Sequence, residues 1–179
     1  LSKEIKIEPD DNFSPKKGPW GWSTDRKSNQ LWVRGNSVVA HPSLWGEKRY
    51  STPIVTGELA MNYGVHKWKI EVTTGRTDHE WIAFGIARID YLRQYDEFDG
   101  NCMYTLSTTG LANKMIKVYE PSDYDELVYE MVLDFEKGVF QICLNDKLIC
   151  VRKTEIQGNM FVPICIFKNP QNKARLLFD

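Results

Sequence analysis

The sequence predicts an all-β domain: a sandwich of two antiparallel sheets built from about a dozen short strands. Three observations predict it. First, Trp68, Ile70 and Val72 alternate with Lys67, Lys69, Glu71 and Thr73, the period-two pattern of a strand with one face in a core and one in water. The same alternation returns at Tyr129, Met131, Leu133 and Phe135. Second, turn chemistry recurs at short, regular intervals. Third, helical spacing is supported for no more than a single turn. A chain of 179 residues is long enough to bury one sizeable core.

Taken in order, residues 1–19 are polar, with Pro9, Pro15, Pro19 and the pair Lys16-Lys17. They read as a tail or lead-in arm with room for one short strand at Ile5 and Ile7. The sandwich is expected over 20–179. Trp20, Trp22 and Trp32 sit on two short strands and are expected in the core. A strand at 37–40 ends where His41-Pro42 removes a donor. Residues 44–51 have no period and read as a loop, and 54–59 supply another strand.

The stretch 63–88 organises the rest. After the break at 74–79, Ile82, Phe84 and Ile86 alternate with Ala83, Gly85 and Ala87. A strand with no polar face is covered on both sides, so it belongs in the middle of a sheet. Its small residues leave room for something large, such as a Trp, to pack above them. Trp68 and Phe84 are expected to be almost fully buried.

In the loop at 90–101, Asp90 is placed to cap one helical turn. Short strands follow at 102–106 and 115–119. Downstream, Leu133-Asp134-Phe135-Glu136-Lys137-Gly138 forms a corner, and Asn145-Asp146 is the turn of a hairpin. In the simplest register Leu144 meets Lys147, Cys143 meets Leu148 and Cys150 meets Gln141. Strands at 161–167 and 173–178 close the chain, with Pro163 at a strand start, edge or bulge.

Composition narrows the function. The net charge is -1, from 23 basic and 24 acidic residues, with no basic block to neutralise phosphates, so no nucleic-acid partner is expected. No apolar run approaches membrane-spanning length, so no membrane partner is expected. The chain opens on Leu1 rather than Met, which points to a piece of a longer multidomain chain. Cys102, Cys143, Cys150 and Cys165 form no Cys-x-x-Cys pair. Cys143 and Cys150 fall about 7 Å apart on the hairpin diagonal, too far for an unstrained disulfide. All four read as reduced thiols, which places the chain in the cytoplasm and gives Asn12-Phe13-Ser14 no use as a glycosylation acceptor.

Catalytic signatures are missing. His41, His66 and His79 have no metal-ligand spacing, and neither nucleophile elbows nor phosphate-binding glycine loops occur. The string at 96–101 lacks the ligand alternation of a calcium loop. His66 and Glu71 are an odd number of residues apart on one strand, hence on opposite faces, and read as structural. No enzyme, metal or cofactor is expected.

The fragments around Gly64, His66, Trp68, Ile70, Glu71 and Val72, then Trp81, Gly85, Ile86 and Ala87, resemble the signature of the SPRY domain family. The 133–138 corner with its Phe-bearing strand, and Phe161-Val162-Pro163-Ile164, extend the resemblance over about Trp20 to Phe178. It implies a strongly bent, concanavalin-like jelly-roll sandwich that binds a short peptide or partner surface through loops at one end. Family members often select substrates for ubiquitin ligases or dock a subunit in a larger assembly. The Leu-Asp-Pro leader of tripartite-motif ligases is missing, which favours a plain SPRY module.

The resemblance, together with the aromatic and arginine make-up of interaction hot spots, points to a rim of three loops. Residues 44–51 offer Trp45, Arg49 and Tyr50. Residues 90–101 offer Tyr91, Arg93, Tyr95 and Phe98. The turn at 167–172 offers Phe167, Lys168 and Asn169. The rival reading is a carbohydrate-binding sandwich, in which some of the six tryptophans stack on sugars.

Overall fold

The computed structural model describes residues 18–40, 51–74, 80–121 and 128–178. Among them lie fourteen strands: β1 (Trp22–Lys27), β2 (Leu31–Arg34), β3 (Ser37–Ala40), β4 (Ile54–Gly57), β5 (Val65–Thr73), β6 (Ile82–Arg88), β7 (Met103–Ser107), β8 (Ala112–Asn113), β9 (Ile116–Lys117), β10 (Val128–Asp134), β11 (Val139–Leu144), β12 (Lys147–Arg152), β13 (Phe161–Phe167) and β14 (Lys173–Leu177). They form a six-stranded sheet in the order β1-β4-β13-β6-β7-β8 and an eight-stranded sheet in the order β2-β3-β14-β5-β10-β11-β12-β9. Every strand pairing is antiparallel. The all-β sandwich expected from the alternation is therefore what forms. The expected strand at Ile5 and Ile7 lies outside the described residues.

β5 and β6 each occupy the middle of a sheet, and they belong to different sheets. Their apolar faces meet across one core. Trp68 is 3 % exposed and Phe84 is fully buried, as expected. The Phe84 ring lies 4.4 Å from that of Tyr129 on β10, which joins the two sheets. The Trp68 ring stacks on Phe140 at 6.4 Å and meets the edge of Trp20 at 6.1 Å. Trp20, Trp22 and Trp32 are buried.

The small face of β6 does two things. Ala83 and Ala87 join a second apolar cluster on the outer side of the six-stranded sheet, with Trp81, Ile89, Leu92 and Tyr95 packed against it. Gly85 serves another purpose than making room for a ring. Its φ is +156°, and a Cβ built there would stand 2.0 Å from the Tyr104 carbonyl oxygen on β7. The position needs glycine for close approach of two backbones.

Three local expectations change. Residues Ile89–Tyr91 form one 3-10 turn, but its N-cap is Arg88 and Asp90 lies inside the turn. At the Asn145-Asp146 turn both residues have positive φ, 51° and 64°, as a two-residue I′ turn requires. Leu144 meets Lys147 and Cys143 meets Leu148, but Cys150 then meets Ile142, not Gln141. The slip is a bulge, because Ile149 and Cys150 are consecutive and both belong to the core, which strict alternation cannot achieve. Finally, Pro163 sits inside β13, flanked by β4 and β6. Its nitrogen faces β4 where that ladder is interrupted, between Ile164↔Thr56 and the isolated bridge Phe161↔Met61, so no hydrogen bond is lost.

All four cysteines are free and buried. Burial pushes the Cys102 thiol up to about 11, helped by the Asp99 charge, and the Cys150 thiol up to about 12. Burial also raises the thiols of Cys143 and Cys165. A folded-state pKa above the unfolded one favours folding fully below about pH 8.5 and progressively less as pH rises beyond it. Cys165→Ala should therefore lose less stability than the parent between pH 8.5 and 9.5, by about 1 kcal/mol. Urea melts at the two pH values measure it, and equal losses would contradict the assignment. Unfolding without reductant should expose four thiols to a chromogenic disulfide reagent.

Candidate functional site

One end of the sandwich gathers chain segments that are far apart in sequence. The Ala40 N–H donates to Asn172 O at 2.9 Å, and the Phe167 N–H donates to Pro53 O at 2.9 Å. The Lys168 N–H donates to Trp81 O at 3.1 Å, and the Thr108 N–H donates to Ile82 O at 2.9 Å. The β13–β14 turn, the starts of β4 and β6 and the end of β7 thus meet there.

The loop after β6 folds back over the outer face of the six-stranded sheet to reach this end. Asp96 pins it. Its Oδ1 accepts from Ser28 Oγ at 2.6 Å and from Gln30 Nε2 at 3.1 Å. Its carbonyl accepts from the Thr52 N–H at 2.8 Å, and the Phe98 N–H donates to Thr52 Oγ1 at 2.6 Å. Gln94 Oε1 closes the tip by accepting from the N–H groups of Asp96 and Glu97.

Beside this loop is an open hollow of about 350 Å³. Ala83, Thr105 and Ser107 line it together with Trp81, Phe98, Leu111, Ala112 and Asn113. Ala83 pairs with Ser107 across β6 and β7, and Thr105 pairs with Asn113 across β7 and β8. The floor is therefore small side chains, and the walls are an indole, a phenyl ring and a leucine. Leu111 is 74 % exposed and Phe98 38 %. The Asn113 amide holds the edge by donating to Met103 O at 2.6 Å and Gly100 O at 3.0 Å. Ser107 Oγ accepts from the Leu111 N–H at 3.1 Å, which sets the leucine's position.

Three solved structures are similar over most of the chain. The SPRY domain of human HERC1 matches with a TM-score of 0.65 at 12% identity, over 87% of this chain and 96% of that one. The TRIM65 PSpry domain matches with a TM-score of 0.63 at 9% identity, over the whole of both chains. Stonustoxin matches with a TM-score of 0.64 at 12% identity, over 88% of this chain, which spans only 27% of the stonustoxin chain. The fold is that of a SPRY domain. No protein-family model matches the sequence, and none of the curated proteins does.

On this SPRY fold the expected rim is only partly visible. Trp45, Arg49 and Tyr50 lie outside the described residues. Tyr91 is half exposed, under the Arg88 guanidinium at 4.3 Å. Arg93 is exposed. Tyr95 packs its ring on the outer-face cluster, and Phe98 forms a wall of the hollow. Lys168 and Asn169 are half-buried in the turn that bonds to Trp81. Phe167 must be corrected. It is fully buried in the main core, because β13 is central and its alternate residues point between the sheets. Its ring cannot meet a partner.

Trp81, Ser107, Leu111 and Asn113 were not anticipated as site residues. One signal was available: Leu111, a bare leucine immediately after the polar turn Ser107-Thr108-Thr109-Gly110, has no alternating neighbour to justify burial. His66 and Glu71 take structural roles. The His66 ring bonds Tyr63 O at 2.8 Å, and Glu71 pairs with Arg175 at 2.7 Å.

Proposed function

We propose that this SPRY-fold chain is a non-catalytic protein-interaction module that takes a short peptide or partner loop into the hollow beside Trp81, Phe98 and Leu111. The observation that carries this reading is the exposed Leu111 facing an indole and a phenyl ring over a floor of small residues. Such a hollow accepts an apolar side chain, and the surrounding hydrogen-bonded backbone holds its shape. Aromatic walls in a preformed pocket are typical of interaction hot spots. The aromatics and cations of the neighbouring loop, Tyr91, Arg93 and Tyr95, extend the same surface. Selection of substrates for a ubiquitin ligase, or docking within a larger assembly, is the finer reading; it rests on the family resemblance. The buried thiols favour a reducing compartment for that work.

The carbohydrate reading draws less support. Trp20, Trp22, Trp32 and Trp68 are buried and cannot stack on a sugar. Among the described tryptophans only Trp81 reaches the hollow.

The test is affinity capture from a lysate, followed by titration of the captured peptide. Leu111→Asp and Phe98→Ala are each expected to weaken binding by more than about 1 kcal/mol with unchanged melting. Unchanged affinity for both, with loss from substitutions at the far end of the sandwich, would move the site. Binding on a glycan array without any peptide binder would favour the carbohydrate reading.

A further inference from the structure

The outer face of the eight-stranded sheet should be polar, since nothing described covers it. Instead it carries an apolar band that zigzags across the strands, with Asp134 between Val65 and Val139 and Gln141 between Val132 and Val151. Val65 on β5, Val132 on β10, Val139 on β11 and Val151 on β12 line one groove of about 570 Å³. Ile116 on the edge strand β9 pairs directly with Val151, so the two side chains share this face. Ile116 is 67 % exposed and Val65 47 %. Val132 and Val139 between them are half-buried and Val151 is buried; exposed apolar groups on one sheet face mark a docking site.

Charge frames the band. Lys67, Lys137 and Lys153 line the groove with Glu130 and Asp134. Lys69, paired with Glu130 across β5 and β10, adds a fourth cation. Glu71 and its partner Arg175 stand on the same face, so five cations against three carboxylates leave the surround positive.

We propose that this face docks an amphipathic helix of a partner protein, apolar on one side and flanked by Asp or Glu. The direction of the band selects a helix. A strand laid flat on an apolar floor would leave backbone groups unpaired, whereas a helix satisfies its own. Five strands at about 4.8 Å spacing span about 19 Å, the length of roughly 13 helical residues. Addition of a strand to the β9 edge is disfavoured, because that edge strand is only two residues long, Ile116–Lys117, and offers little to pair with. A second copy of the chain would set lysines against lysines, which disfavours it. The surface lies on the opposite sheet from the hollow at Leu111, so neither reading depends on the other.

The test uses two labelled helical peptides of about 14 residues, with one leucine stripe in common and flanks of Glu in one, Lys in the other. Fluorescence anisotropy should show the Glu peptide binding at least about tenfold tighter than the Lys peptide. Val139→Asp should abolish binding, and Leu111→Asp should leave it unchanged. The exposed changes Lys67→Glu and Lys153→Glu carry no folding risk, and together they should reverse the preference. Equal or absent binding of the two peptides, or binding indifferent to Lys67→Glu and Lys153→Glu, overturns the proposal. So does co-sedimentation with anionic phospholipid vesicles that Val139→Asp abolishes, or a dimer in analytical centrifugation that Val139→Asp disperses.

Discussion

Gly85→Ala is expected to destabilise the domain by more than about 4 kcal/mol, the exceptional end of single-residue effects. The added Cβ would stand 2.0 Å from Tyr104 O, 3.0 Å from its carbonyl carbon and 3.1 Å from Thr105 Cα. All three are backbone atoms of β7, so no side chain can swing away. Relief would require separating β6 from β7 in the middle of the six-stranded sheet, where β6 also holds β13. The φ of +156° adds strain for any L residue. Gly158→Ala is the control. It too has positive φ, +85°, but nothing lies within 4 Å of the new Cβ, so it should cost only about 1–2 kcal/mol. Urea denaturation of the two variants decides the matter. Similar midpoints for both would mean that β6 and β7 do not approach as closely as described.

Trp68→Ala is expected to cost about 3–5 kcal/mol, the usual range for truncating a buried aromatic. Against a total stability of about 5–15 kcal/mol for a single domain, that leaves little. The indole is the meeting point of Trp20, ahead of β1, and Phe140 on β11. Its removal opens a cavity between segments that cannot all collapse toward it, because β5 is fixed on both sides by β14 and β10. A thermal melt within a few degrees of the parent would show that the indole does not carry this core. Trp68→Phe, which keeps part of the stacking surface, should recover much of the loss.

Much of the fold was legible because strands advertise themselves locally. β5, β10 and β11 alternate cleanly, and β6 announces a central position by having no polar face. The Asn145-Asp146 turn and the corner ending at Gly138, whose φ is +69°, carry their backbone geometry in their residue types. The bulge in β12 was not legible. Leu148-Ile149-Cys150-Val151 is apolar throughout, and only the core shows that both Ile149 and Cys150 turn inward. Phe167 was misplaced for a related reason. A phenylalanine at the end of a strand and the start of a turn looks the same in sequence whether it faces a core or a partner.

The sequence by itself determined the all-β class, the short strands, the buried Trp68 and Phe84, and the likeness to SPRY domains. The class, the strands and the two buried rings follow from the period of the backbone, a property of neighbouring residues; the likeness to SPRY domains rests on the motif residues around Trp68 and Gly85. Beyond the β11–β12 hairpin, only the tertiary structure decided which strands adjoin, and with that every surface on which binding has been argued. The hollow draws Trp81, Phe98 and the turn from Ser107 to Leu111 from separate segments, and the apolar band draws one residue from each of five strands. Sheet order brings them together, and sheet order is set by the burial of both apolar faces at once, a condition that no local stretch of sequence contains.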